Sequence, residues 1–214
     1  MLVDLSHTIR HGEGAYPGLP QPNVGDHLTF DDSAAHYAPG TEFSIKTIEM
    51  VANTGTYLDT PAHRIRGGFD LDGLPLGAVA AVPGIVIETE ATAIDVEIDT
   101  DRVAGHAVLF RTGWSRHWGT RAYGEGGHPH LTASTVDALV AARPTVVGID
   151  SLNIDDTSGG ERPAHTALLG AGIPLVEHLT NLDALPEEGF TFFAVPPRFE
   201  EVATFPVRAF ASIP

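Results

Sequence analysis

Short apolar runs rich in β-branched residues constrain the fold of this chain more than any other feature of its sequence. Such runs occupy residues 82–88, 107–110 and 146–149, and polar or turn-forming residues follow each of them. Runs of this length, bounded by turn signals, are typical of strands. Helical spacing of apolar residues is less frequent. The sequence therefore predicts an α/β fold with a sheet-rich core and helices packed outside it.

Periodicity and punctuation predict the other elements. Apolar and polar residues alternate over residues 42–51, and we also expect strands at residues 2–9, 189–196 and 202–211. A Gly/Pro-rich segment at residues 11–23 predicts a long loop. Thr132 is the expected N-cap of a helix that ends before Pro144, and residues 165–169 predict a short second helix. No linker interrupts the 214 residues, which predicts one domain spanning residues 1–214.

Charge and composition exclude several classes of function. The net charge is −16, with only 12 Lys and Arg, so the surface repels nucleic acids and anionic membranes, and we expect neither as a partner. The chain has no cysteine, which excludes disulfides and thiolate chemistry and leaves nitrogen and oxygen as metal ligands. No signal-peptide pattern and no membrane-spanning apolar run are found, which predicts a soluble, cytoplasmic protein.

The most informative segment is NTGTYLDTPAH at residues 53–63. Asp59 and His63 lie on either side of Pro61, which restricts the backbone and fixes the shape of the loop. A carboxylate and an imidazole held a few residues apart can ligate a metal, or can act as an oriented base. The residues alone also allow a structural turn in which Asp59 caps backbone N–H groups.

This segment resembles the signature of the cyclase family, which includes bacterial kynurenine formamidases and isatin hydrolases and reads HxGTHxDxPxH. The matching positions are Gly55, Thr56, Asp59, Pro61 and His63. Asn53 and Tyr57 replace the first two histidines. Further similar segments follow in the family's order: VDLSHTI at 3–9, LFRTGW at 109–114, GIDS at 148–151, PAHTALL at 163–169 and IPLVEHLTNL at 173–182.

The resemblance implies a swivelling β/β/α-type α/β fold, a homodimer or homotetramer, and a pocket with a divalent metal, zinc or manganese. The metal of such a pocket activates water for attack on an amide, lactam or lactone. By matching position, Asp59, His165 and Glu177 are the expected metal ligands. His63 is the expected general base or proton shuttle.

The two replaced histidines leave two chemical outcomes open. Asn53 offers only a carbonyl oxygen, a hard and weak metal ligand, and Tyr57 ligates a metal only after losing a proton whose ordinary pKa is about 10. In one outcome a metal stays on Asp59, His165 and Glu177, with or without Asn53. In the other the site is metal-free, His63 or His165 acts as a base against a carboxylate such as Asp59, and Tyr57 donates a hydrogen bond to a developing oxyanion.

Other residues are expected around the substrate or at the surface. Tyr16 and its neighbour Pro17, in the early loop, are expected to line the pocket. Trp114 and Trp118 are four residues apart and can form either part of the core or a wall on which the substrate stacks. Arg111 or Arg116 nearby can hold a carboxylate. The acidic pair at residues 155–156 is expected to be a solvated loop.

Three functional hypotheses follow. The first is a hydrolase or cyclase acting on a small amide, formamide, lactam or lactone, with arylformamidase as the family's best-known activity. The second is a catalytically weakened homologue that binds a small ligand or serves as a structural partner, and the third is a metal-free lyase or isomerase. An active enzyme predicts that the four candidate residues Asp59, His63, His165 and Glu177 converge with perturbed pKa values. For the weakened binding homologue of the second hypothesis, we expect a pocket filled by side chains such as Tyr57.

Overall fold

A curled nine-stranded sheet dominates the computed structural model, which describes residues 1–14, 16 and 18–214. The strands are β1 Leu2–Asp4, β2 Asn23–Leu28, β3 Ile45–Glu49, β4 Tyr57–Asp59, β5 Val82–Glu88, β6 Ala93–Ile94, β7 Ala107–Arg111, β8 His130–Leu131, β9 Val146–Ile149, β10 Leu175–Glu177, β11 Phe190–Phe193, β12 Thr204–Pro206 and β13 Phe210–Ser212. The order across the main sheet is β1-β13-β11-β5-β7-β9-β10-β4-β12. Strands β5, β7, β9 and β10 are parallel, and the flanking strands pair antiparallel.

The helices are short and lie outside the sheet. They are α1 Phe30–His36, α2 Thr100–Val103, α3 Arg121–Gly124, α4 Ala133–Ala142 and α5 Pro163–Gly170, with 3₁₀ turns at Pro61–His63, Leu76–Ala78, Trp114–His117 and Leu182–Ala184. Within the described residues, none of these helices is long and apolar enough to cross a bilayer.

The parallel strands are buried on both faces, which explains their continuous apolar sequence. Along β5, Val82 and Val86 pack into one apolar cluster, whereas Ile85 packs into another. Helices α4 and α5 cover this second cluster, and Leu109 and Val108 of β7 divide between the clusters in the same way. The predicted α/β class with a sheet-rich core is therefore confirmed.

Several predicted elements have the expected bounds. Strands β5 and β9 match the apolar runs, and β7 extends one residue beyond its run, to Arg111. Helix α4 begins after Thr132, as predicted, and ends where Arg143 adopts a left-handed conformation (φ 55°). Helix α5 begins at Pro163, earlier than predicted, because proline is well tolerated in the first turn of a helix.

Other expectations need correction. The predicted strand at 2–9 is regular only as β1, although Ser6 forms an isolated bridge with Leu179. The strand at 42–51 is shortened to β3 and pairs with β2 outside the main sheet. The single strand predicted at 202–211 is two strands: β12 pairs with β4, and β13 lies between β1 and β11. Pro206 is the last residue of β12, and just beyond it the backbone N–H of Val207 still donates to the carbonyl of Thr56 at 2.9 Å.

Candidate active site

Two antiparallel strands carry the acidic residues of the candidate site. Tyr57 and Asp59 lie two residues apart on β4 and therefore point to the same face of the sheet. Glu177 ends β10 and pairs directly with Tyr57. His63 ends the 3₁₀ turn that follows β4, and His165 lies in the first turn of α5. The four residues predicted to converge are thus brought together from three parts of the chain.

The signature glycine and threonine set the path of the chain into β4. Gly55 has φ 68°, and a Cβ atom there would lie 2.7 Å from the side chain of Ile9, so both the conformation and the space favour glycine. The Thr56 hydroxyl donates to the carbonyl of His178 at 2.5 Å and accepts from the backbone N–H of His7 at 3.0 Å. These contacts fasten the start of β4 to two distant segments.

A threonine that the sequence analysis did not single out joins Asp59 to His63. The Thr204 hydroxyl donates to Asp59 Oδ1 and lies 3.0 Å from His63 Nδ1. Because the one hydroxyl proton goes to the carboxylate, His63 Nδ1 must carry the proton of its own bond to Thr204. In the neutral imidazole, Nε2 is then the nitrogen without a proton. Thr204 reaches the site through the β12–β4 pairing, which no local sequence signal announces.

An aspartate that was expected to be solvated fixes His165. Asp155 is 1% exposed, and its Oδ2 lies 2.6 Å from His165 Nδ1. The same carboxylate accepts from the backbone N–H of Ala164 at 2.6 Å, so it also caps the start of α5. The expectation of a solvated acidic pair is therefore wrong for Asp155, though Asp156 is exposed. With Nδ1 engaged, His165 Nε2 lies 3.7 Å from both Asp59 Oδ2 and Glu177 Oε1.

Tyr57 is bonded to Glu177 on the floor of the site. Its hydroxyl donates to Glu177 Oε2 at 2.5 Å, and Glu177 Oε1 accepts from the backbone N–H of Ile154 at 2.7 Å. Burial and the charges of Glu177 and Asp59 raise the pKa of Tyr57 well above 10. The Tyr57 hydroxyl therefore keeps its proton, which it donates to Glu177. To donate to an oxyanion, as predicted, the Tyr57 hydroxyl would have to break its hydrogen bond to Glu177.

The buried charges of the site call for a cation. Burial alone would lower the pKa of His165, but the Glu177 charge, the hydrogen bond that His165 donates to Asp155 and the nearby Asp59 outweigh it and raise that pKa to about 10. Burial raises the pKa of Glu177 to about 7, with His165 opposing this and Asp59 adding to it. The carboxylates around one imidazole thus retain a proton, and a metal ion can take its place.

The donor atoms fit a divalent metal. One ligand atom each from Asp59, His63 and His165 lies within 4.8 Å of the others. Asp59 Oδ2 is buried and has no hydrogen-bond partner among the described residues, so this oxygen is available to bind a metal ion. Glu177, a predicted ligand, lies beside His165, but both of its oxygens already accept hydrogen bonds. His63, predicted as a base, is thus also within reach of a metal.

A cavity of about 250 Å³ opens over these residues. Its described lining residues are Tyr16, Leu19, Asn53, Tyr57, His63, Arg64, Asn153, Arg162, His165 and Glu177. Tyr16 and Asn53 therefore lie where the sequence predicted them, and Tyr57 lines the cavity without filling it. Pro17, also expected there, lies outside the described residues.

The predicted substrate residues Arg111 and Trp114 lie elsewhere. Arg111 forms an ion pair with Glu88 and lines a different cavity, at the carboxyl ends of β5 and β7. The Trp114 indole N–H donates to the carbonyl of Tyr123 at 3.2 Å, and its ring packs against His117. Both expectations are corrected: neither side chain is part of the described lining of the cavity over His165, because Arg111 is engaged by Glu88 and Trp114 by Tyr123.

Comparisons with known proteins agree with the signature. The family described as Putative cyclase matches residues 3–156. Kynurenine formamidase of Salinibacter ruber (strain DSM 13855 / M31) is 26% identical over 212 residues, covering 97% of this chain and 95% of that protein. Isatin hydrolase A from Ralstonia solanacearum superposes with a TM-score of 0.80 at 26% identity, covering 100% of this chain and 92% of that one. A structure described as a predicted metal-dependent hydrolase from Bacillus stearothermophilus superposes with a TM-score of 0.71 at 24% identity, covering 99% and 97%.

Proposed function

This chain belongs to the cyclase family of hydrolases, and from that premise we propose that it hydrolyses a small amide or a related acyl compound in the cavity around Asp59, His63 and His165. One observation carries the proposal. A buried carboxylate oxygen with no hydrogen-bond partner in the described part of the chain and two imidazoles converge at one cavity. The names of the relatives, kynurenine formamidase and isatin hydrolase, support an amide as the bond that is broken.

The residues present fit a divalent metal, for which we propose zinc or manganese. Asp59 and His165 would hold it, with the third ligand coming from His63 or from Glu177 assisted by Asn53. A metal bound there would lower the pKa of a water molecule and polarise the carbonyl of the substrate. The structural neighbour from Bacillus stearothermophilus, described as a predicted metal-dependent hydrolase, is consistent with this assignment.

His63 is the proposed base. Its Nε2 accepts a proton from the attacking water, the water oxygen bonds to the acyl carbon, and the proton then passes to the leaving nitrogen or oxygen as that bond breaks. Thr204 and Asp59 hold the proton on Nδ1, so that Nε2 stays free to accept. Since His63 lines the cavity, this nitrogen can reach a bound substrate.

Tyr57 and Glu177 act as the fixed floor of the site. Their 2.5 Å hydrogen bond neutralises part of the Glu177 charge. Tyr57 stands at the sequence position of the second signature histidine. The open cavity argues against the second hypothesis, a weakened binding homologue in which side chains such as Tyr57 were expected to fill the pocket.

The substrate is small and polar. The cavity of about 250 Å³ is below the range of roughly 300–1,000 Å³ that is typical of drug-sized ligands. An aryl formamide, a lactam or a lactone of one or two rings fits this size. A formamide or lactam is favoured by the names of the relatives.

Elemental analysis followed by a hydrolysis screen tests the proposal. Untagged protein is dialysed with and without zinc and manganese, its metal content is measured by mass spectrometry, and formanilide, isatin and a simple aryl lactone are assayed. Near-stoichiometric metal and turnover of one of these compounds are expected. Retained metal without turnover of any acyl compound would leave a metal-binding protein and contradict the proposed hydrolysis.

A metal-free hydrolase is the second candidate. The bonds from His63 through Thr204 to Asp59 exist without a metal, and His165 retains a positive charge because its pKa is raised to about 10. This candidate predicts turnover that survives chelation. A metal-free lyase or isomerase would instead convert a substrate without consuming water, which incorporation of ¹⁸O from labelled water distinguishes.

We also propose a homodimer or homotetramer that works in the cytoplasm. The two-stranded sheet of β2 and β3 supports assembly, because every residue of β3 is exposed. The sheet exposes three large apolar side chains, Val24 of β2 and Ile45 and Ile48 of β3. Light scattering on the eluting protein gives the assembly size, and a monomer at micromolar concentration would contradict it. The cellular location is tested by fractionation.

A further inference from the structure

Two arginines line the cavity of a strongly acidic chain. Arg64 and Arg162 are lining residues, although the chain has only 12 Lys and Arg against 28 Asp and Glu. Arg64 is exposed and Arg162 is half-buried, whereas Glu177 and His165 are buried. The arginines therefore lie on the outer side of the cavity and the candidate catalytic groups on its floor.

Both guanidinium groups are held in place by neutral acceptors. Arg64 Nε donates to the Thr166 hydroxyl at 2.9 Å, and that hydroxyl donates to the backbone carbonyl of Arg162 at 2.7 Å. Arg162 Nη1 donates to the carbonyls of Gly159 at 2.9 Å and Glu161 at 2.6 Å. The terminal nitrogens of Arg64 and Nη2 of Arg162 have no acceptor among the described residues.

The charge of these arginines is not neutralised within the described part of the chain. Neither Arg64 nor Arg162 forms an ion pair there, whereas Arg102, Arg198 and Arg208 do. Glu177 is the one acidic residue that lines the cavity in that part, and its oxygens are engaged by Tyr57 and Ile154. An anion entering the cavity would meet these two cations at its outer side, away from the buried carboxylate of Asp59, which is not part of the described lining.

We propose that Arg64 and Arg162 bind the carboxylate of an anionic substrate, so that the compound hydrolysed is a small acyl compound bearing a carboxylate. A planar guanidinium fork matches a carboxylate and can bind it through two parallel hydrogen bonds. The carboxylate would lie at the outer side of the cavity and direct the scissile bond toward His63. That the bound compound is hydrolysed rests on the proposed function, whereas the binding of its carboxylate by the two arginines does not.

Binding of benzoate and of its neutral analogue benzamide tests the anion site without any turnover. The protein is first dialysed against a chelator, so that no metal ion can bind the carboxylate. It is then titrated with each compound by calorimetry. We expect millimolar benzoate binding that is about tenfold or more tighter than that of benzamide. Equal binding of the two compounds, or no benzoate binding in the millimolar range, overturns the proposal.

Matched variants assign the effect to these arginines. Arg64→Gln and Arg162→Gln should each weaken benzoate binding by about tenfold or more, whereas Arg66→Gln, an exposed arginine outside the cavity lining, should not. Thr166→Val, which removes the acceptor of Arg64 Nε, should weaken it less, and Thr166→Ser should restore it. Equal losses in Arg64→Gln and Arg66→Gln would mean a general charge effect and overturn the assignment. Circular dichroism checks that each variant is folded.

Kinetics separates this inference from the proposed function. If formanilide and 2-formamidobenzoate are both hydrolysed, Arg64→Gln should raise KM for the carboxylate compound by about 10- to 100-fold, with a smaller change in kcat. If neither is hydrolysed while benzoate binding still depends on Arg64, the proposed hydrolysis of such compounds fails and the anion site stands. If the carboxylate compound is hydrolysed but its KM does not change in Arg64→Gln, the proposed hydrolysis stands and the anion site at Arg64 is overturned.

Discussion

Two buried carboxylates on neighbouring strands, Asp59 and Glu177, differ in how completely their oxygens are bonded. Both are 0% exposed. Glu177 accepts hydrogen bonds at both oxygens, from the Tyr57 hydroxyl and from the backbone N–H of Ile154. Asp59 accepts from Thr204 at Oδ1, but Oδ2 has no partner among the described residues and lies 3.7 Å from His165 Nε2.

The difference separates the scaffold of the site from its reactive part. A buried carboxylate oxygen without a partner costs free energy, so it persists where a ligand or a metal ion completes it. Glu177 is completed by the protein itself, through the tyrosine that stands where the family signature has a histidine. The metal or the substrate is therefore expected on the side of Asp59, and the following changes test that division.

Replacing Asp59 with asparagine should have the largest effect. The amide keeps the shape of the side chain but removes the charge and one ligand oxygen. We expect metal retention to fall to near zero and turnover to fall by roughly 10⁴-fold, because the metal supplies several kcal/mol of stabilisation to the transition state. Elemental analysis and kinetics measure both. Asp156→Asn, at an exposed carboxylate, is the control, and full metal retention in Asp59→Asn would refute the assignment.

Replacing His63 with alanine should reduce turnover by roughly 10²–10⁴-fold while the protein stays folded, because a positioned base is lost. Metal content distinguishes the two roles that the geometry allows. Unchanged metal with low kcat identifies His63 as the base, whereas a parallel loss of metal identifies it as a ligand. Unchanged turnover and unchanged metal together would remove His63 from the mechanism.

Replacing Thr204 with valine should reduce kcat or metal affinity by about 10- to 100-fold, as is typical when a partner that orients a site residue is removed. Thr204→Ser keeps the hydroxyl and should restore most of the activity. Nitrogen NMR of His63 should show the Nδ1–H tautomer in the native protein and a mixture in the valine variant. The same tautomer in both would show that Thr204 does not position His63.

Replacing Tyr57 with phenylalanine should destabilise the protein by about 1–3 kcal/mol, because Glu177 Oε2 loses its partner in a buried site. Tyr123→Phe is a matched control. Its hydroxyl is also buried but has no partner among the described residues, so its loss should cost little. Chemical denaturation compares the two. A fall in kcat of more than about tenfold in Tyr57→Phe would give Tyr57 a role in catalysis as well.

The last test leaves the sequence unchanged and follows the stability of the metal-free protein as a function of pH. The pKa of His165 is raised to about 10 in the folded protein, above its ordinary value of about 6.5. The resulting stabilisation is complete below that ordinary value and is lost as the pH rises through about 10. Thermal denaturation of chelated protein should therefore show a melting temperature that falls between about pH 7 and pH 10.

Two additions sharpen the pH experiment. His165→Gln should flatten the pH dependence, because the linked proton is absent. Zinc or manganese should stabilise the native protein more as the pH rises, because the metal displaces a proton from the site. A melting temperature that rises from pH 7 to pH 10 in chelated protein would contradict the raised pKa of His165.

The predicted and the observed site agree where the sequence pattern is local or matches a family segment. Asp59 and His63 lie within one short signature, and His165 and Glu177 lie in segments that resemble the family in order. All four converge, as predicted. Arg111 also lies in a matching segment, but the resemblance does not fix the direction of its side chain, which forms an ion pair with Glu88.

The residues that sequence reasoning missed come from distant pairings. Thr204 bonds to Asp59 across 145 positions of the chain, because β12 lies beside β4 at the edge of the sheet. Asp155 reaches His165 because it caps α5, although its sequence reads as part of an acidic loop. Arg64 directly follows the signature, yet only the cavity shows it beside Arg162.

The sequence by itself determined the α/β fold, the buried parallel strands and the chemical groups of the site, because these depend on the spacing of residues along the chain. The tertiary structure decided which carboxylate oxygen is left without a partner, which nitrogen of His63 is free, and which cations face the cavity. Those properties depend on contacts of a few ångströms between strands, turns and helices that are far apart in sequence. A pattern along one chain does not contain such distances, and they arise only when the sheet curls and its edges are paired.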